Sequence, residues 1–218
     1  SAQEVNHPIP KLGSVKAPSE ISEKFLDAYS HIALPIVAQS NLSSKKDIDG
    51  IAIEISQKSI KNLEKNFEIS FSEEIRQATT TPNAKAGNII EIPVMSRSKN
   101  EVVRILLVGV GERSENDIRK AGAAIGRKVK GTNSSLLSFM CKNESEVQIA
   151  QIASGLACYF WNQKSTEKPG TPSFTAVGDY LEVIKKASIL LSVTWKTRDL
   201  IHTPSNIKTP EWMAVQAK

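Results

Sequence analysis

Apolar residues along this chain fall into two alternating patterns. Short runs of β-branched and aliphatic residues occur at His31–Ala38, 51–55, 88–94, 103–110, 134–141 and Ser173–Val177. Each has the length and composition of a strand. The 103–110 run is nearly continuous in apolar residues, which predicts a central strand covered on both faces. Pro35 lacks a backbone donor, so the 31–38 run is expected at a sheet edge.

Between these runs the apolar positions recur every three or four residues. Residues 57–80 read as one or two short helices, with Ser72 as a cap before Glu73-Glu74. Residues 115–130 give a clearer signal. Ser114 can cap that helix, Glu115 and Asp117 suit its positive start, and Gly131 can close it. Ile118, Ala121, Gly122, Ile125 and Val129 form its apolar stripe. A second helix is expected over 146–162, burying Ile149, Ile152, Ala153, Leu156, Ala157 and Phe160. A third begins after Asp179 and runs to Ile201, a span of roughly 33 Å. Leu181, Ile184, Ala187, Leu191 and Trp195 share one arc of it and are expected to pack on the domain.

Pro204 then removes a donor and biases Thr203 out of the helical region. Thr209 and Pro210 open a new helix, as cap and first-turn residue. Residues 209–218 are expected to project from the domain, leaving Trp212 more exposed than Trp195. The segment 203–218 thus reads as a linker and the start of a further unit. Residues 1–30, rich in Pro, Ser and Lys, are expected to be irregular or poorly ordered. The alternation over 31–202 predicts a three-layer α/β/α sandwich with a mixed, mostly parallel sheet.

Composition adds little to this picture. The 218 residues are 40% hydrophobic and 23% charged, with a net charge of +5, an ordinary globular profile. Lysines and arginines are dispersed rather than clustered, which weighs against a nucleic-acid footprint. Cys141 and Cys158 lie in apolar segments and read as buried free thiols of a reducing compartment. With no hydrophobic leader pattern in the sequence, a cytoplasmic location is expected.

Candidate chemistry is sparse. Gly109 and Gly111 follow a buried strand and precede a capped helix, where open α/β sheets hold phosphates. Ser114 stands where a dinucleotide fingerprint would place a third glycine. The turn therefore reads either as a phosphate cradle or as a backbone device. His7, His31 and His202 are far apart in sequence and lack partners at metal-ligand spacing. His202 reads as exposed or capping. Asp199 is expected to pair with Arg198, Lys196 or backbone, and Trp161, Trp195 and Trp212 to pack. No Gly-x-Ser-x-Gly nucleophile turn occurs. No catalytic, cofactor-binding or metal-binding residue is assigned.

The stretch Arg198-Asp199-Leu200-Ile201, Thr203-Pro204, Asn206 and Thr209-Pro210 resembles the interdomain segment of the cytosolic leucyl aminopeptidases. That segment reads Ala-Arg-Asp-Leu-Val-Asn-x-Pro-x-Asn-x-x-Thr-Pro. Here Thr197 replaces the usual alanine and His202 the usual asparagine that follows the Leu-Val pair. Lys85-Ala86-Gly87, Ile105-Leu106-Leu107-Val108-Gly109-Val110-Gly111, and Ser154-Gly155-Leu156-Ala157 through Phe160 with Lys164-Ser165 resemble further family features in the same order. The resemblance covers about residues 30–218.

It implies a macro-domain-like N-terminal domain of a two-domain exopeptidase. In the family a second domain binds two divalent ions (zinc, manganese or magnesium) and hydrolyses the N-terminal peptide bond, using motifs such as Asn-Thr-Asp-Ala-Glu-Gly-Arg. No such motif occurs in these 218 residues, so this fragment alone is expected to be inactive. The resemblance also implies a homo-hexameric parent acting on peptides, with the isolated domain a monomer or weak dimer. The alternative is a stand-alone binding module for a nucleotide-like ligand or nucleic acid.

Overall fold

The computed structural model describes residues 7–39, 50–78, 83–161 and 169–217. They form strands β1 (Lys11–Val15), β2 (His31–Ala38), β3 (Ile51–Ile53), β4 (Ile89–Ser96), β5 (Glu101–Gly109), β6 (Ser135–Ser138) and β7 (Ser173–Val177). The helices are α1 (Glu23–Leu26), α2 (Gln57–Phe67), α3 (Phe71–Gln77), α4 (Glu115–Val129), α5 (Glu144–Ala157), α6 (Leu181–His202) and α7 (Pro210–Gln216).

The strands make one sheet in the order β1-β7-β6-β2-β5-β4, with β3 paired to β2. β1/β7, β7/β6, β6/β2 and β2/β5 are parallel, whereas β3/β2 and β4/β5 are antiparallel. The sheet is mixed and mostly parallel, with helices on both faces.

Strand alternation builds two cores. Ile32, Leu34, Ile36, Ile105 and Leu107 face one side, with Leu26 of α1, Leu63 and Phe67 of α2, and Phe71 and Ile75 of α3. Ala33, Val37, Leu106 and Val108 face the other. They meet Ile118, Ile125 and Val129 of α4, Ala150 of α5, and Leu191 and Trp195 of α6. The apolar stripe of α4 is buried as its spacing predicts. Its cap is Ser114, whose hydroxyl accepts from the Asp117 N–H.

Several expectations are corrected. β2 is central, not an edge. Its pairing with β6 ends at Ala33 and its pairing with β3 starts at Ile36. The Ala33 and Pro35 carbonyls both point to that side, where they accept from Phe139 and Glu54. The proline nitrogen therefore falls in the gap between two partner strands and breaks no ladder bond. Pro93 does lie on an edge strand, β4. Ser72 caps nothing. Ser70 takes the cap position of α3 without a side-chain bond, and the Glu64 carboxylate accepts from the Phe71 N–H at 2.9 Å. The segment 1–30, expected to be irregular, contributes β1 and α1, because β1 finds a parallel partner in β7.

The buried face of α5 is also phased differently. Val147, Ala150, Gln151, Ala153, Ser154 and Gly155 are buried, while Ile149, Ile152, Leu156, Ala157 and Phe160 are only partly covered. α5 lies between α4 and α6, so its small residues set the contact. A Cβ added at Gly122 or Gly126 of α4 would sit 2.5 or 2.3 Å from the Ala150 or Ser154 carbonyl oxygen. A Cβ at Gly155 would meet Leu191 of α6 at 2.4 Å. On α6, Leu181 is 59% exposed, whereas Ile184, Ala187, Leu191 and Trp195 pack as expected. Trp212 is as buried as Trp195, each 3% exposed. Its indole is thus covered, not left projecting. The Lys164-Ser165 pair and the expected end of the second helix at Asn162 lie outside the described residues.

Candidate functional site

The C-terminal ends of β2, β5 and β6 meet at one edge of the sheet. Helices α2 and α3, which follow β2 by way of the antiparallel β3, pack on one face, and α4 and α5, which follow β5 and β6, pack on the other. This divergence is the switch point at which open α/β sheets bind ligands. Gly109 and Gly111 stand there.

The structure commits that turn to its own chain. A Cβ at Gly109 would sit 2.1 Å from the Lys85 carbonyl oxygen, so glycine lets the 84–88 segment press against β5. The Gly109 N–H donates to Asn88, and the Gly109 carbonyl accepts from Gly87. Gly111, at φ +53°, donates to the Ala84 carbonyl. The Asp117 carboxylate accepts from the Glu112 N–H at 3.1 Å and packs under Gly111. Lys85-Ala86-Gly87 and the 105–111 segment, separate in sequence, are therefore one backbone unit. The backbone-device reading of the glycines accounts for each of these contacts.

Arg113 fills the crevice itself. Its φ of +60° is the left-handed region, unusual for a non-glycine residue. The guanidinium donates from Nε to Glu54 Oε2 at 2.8 Å, from one Nη to Glu146 Oε2 at 2.7 Å, and from the other to the Met140 carbonyl at 3.1 Å. Lys142 Nζ bonds Glu54 Oε1, and the Lys142 N–H donates to Glu146 at 2.8 Å. Burial pushes the Glu54 carboxyl up, but Lys142 and Arg113 outweigh it and hold it below the usual carboxylate range. The cations are thus matched by carboxylates of the same chain.

A second polar cluster gathers at the end of α6. Asp199, nearly fully buried, accepts from Tyr159 Oη at 3.0 Å and faces His7 Nδ1 at 3.1 Å. Its expected partners were Arg198, Lys196 or backbone, but Arg198 instead lies over the Tyr159 ring at 5.4 Å. Burial, then the Asp199 bond and charge, push the Tyr159 phenol well above its usual value. His202 is exposed. Its Nδ1 lies 2.7 Å from the Arg198 carbonyl, and its ring stacks on Trp161. His7 meets the edge of Trp161. Two histidines 195 positions apart thus share one aromatic cluster. Sequence spacing held no signal of this, because β1 brings the N-terminal segment to the α6 side of the sheet.

Among the described residues, no group of three or more His, Cys, Asp or Glu is placed to hold a metal ion. Burial pushes the Cys141 and Cys158 thiols up to about 12, the state of packed rather than reactive cysteines. No helix of the described residues is long and apolar enough to cross a membrane.

Fold and sequence pattern together define an α/β domain of the aminopeptidase type. The chain belongs to the cytosol aminopeptidase family: the sequence model of that family's N-terminal domain matches residues 56–165. A mutant of tomato leucine aminopeptidase is similar over 99% of this chain and 43% of its own, with a TM-score of 0.67 and 14% identity. The bottromycin maturation enzyme BotP is similar over 87% of this chain and 36% of its own (TM-score 0.58, 15% identity). BotP in complex with manganese aligns over 68% and 32% (TM-score 0.53, 18% identity). These likenesses show a shared fold, and the chain spans less than half the length of each of those proteins. No curated protein sequence matches it.

Proposed function

We propose that this chain is the non-catalytic N-terminal domain of a leucyl aminopeptidase. The whole protein removes N-terminal residues from peptides in the cytoplasm as a homo-hexamer. A catalytic domain outside these residues would hold two divalent ions, whose chemistry would be to activate a water and polarise the scissile carbonyl. The role of the present domain is assembly and control of peptide access. The family match over residues 56–165 carries the reading. It is supported by the 43% share of the tomato chain that this one covers. It is further supported by the internal pairing of Glu54, Glu146 and Asp199, which leaves these buried and half-buried carboxylates engaged within the domain.

Isothermal titration with manganese, zinc and ADP-ribose tests it. The 218-residue chain is expected to bind none of them. Stoichiometric metal binding with a dissociation constant below about 10 μM would place a metal site in this domain and overturn the reading. Tight ADP-ribose binding would favour the stand-alone nucleotide module instead.

A further inference from the structure

We draw no further inference here: the strongest candidate, the exposed apolar patch of Ile189, Leu190, Val193 and Ile201 on α6, carries nothing because nothing in the structure shows what covers it.

Discussion

Arg113 shows how much one side chain decides at the switch point. It holds two carboxylates and a carbonyl from three different segments, in a backbone conformation that disfavours it. Arg113→Met leaves Glu54 and Glu146 partly buried and undercompensated. Chemical denaturation is expected to show a loss of about 3 kcal/mol, and a loss under about 1 kcal/mol would contradict the arrangement. The effect depends on pH with a definite sign. Glu54 is held below its ordinary range when folded, so its contribution is full above the unfolded carboxylate range, about pH 4–5. It is lost as pH falls through the folded value. The gap between wild type and variant should therefore narrow on acidification through that window. Asp199 is the second such residue. Asp199→Ala removes the acceptor for Tyr159 and the partner of His7, and should cost about 2 kcal/mol by thermal unfolding. An unchanged melting temperature would mean that the cluster is not formed in solution. Neither group was legible from sequence. Arg113 looked like one of many dispersed cations, and Asp199 sat beside nearer basic residues that it does not use. Both depend on contacts across tens of residues, which no local spacing encodes.

At the scale of elements, strands and caps were largely readable. β2 and β7 span the same residues as their apolar runs, and the Ser114 cap and buried stripe of α4 follow from local chemistry. What failed was phase and exposure. The large residues of α5 suggested one buried face, but its tightest contacts run through Ala150, Ser154 and Gly155. A helix held between two others is packed by its smallest residues, because close backbone approach requires them. Gly126→Ala tests that crossing. Its new Cβ would meet backbone, not a flexible side chain, so α4 and α5 must separate. A loss of about 1–3 kcal/mol is expected in urea unfolding. Wild-type stability would show that the two helices are farther apart than described here. The burial of Trp212 was missed for a related reason: a Thr-Pro helix start fixes where α7 begins, not what it packs against.

For the whole molecule, the mixed sheet and two-faced core followed from the alternation of strands and helices. The family resemblance was drawn mainly from the residues around Thr203-Pro204 and Thr209-Pro210, whereas the family's sequence model matches residues 56–165, upstream of that motif. The candidate ligand turn was visible in sequence, but its occupation by Lys85, Asp117 and Arg113 was not. The domain therefore presents a glycine turn closed by its own backbone and ion pairs, and an exposed apolar face on α6. The most direct measurement is hydrolysis of leucyl p-nitroanilide by the purified 218-residue chain, with manganese or zinc added. The account predicts no turnover above the metal-only rate under any of these conditions. Metal-dependent turnover that stays with the chain through successive columns, and titrates with its concentration, would contradict it.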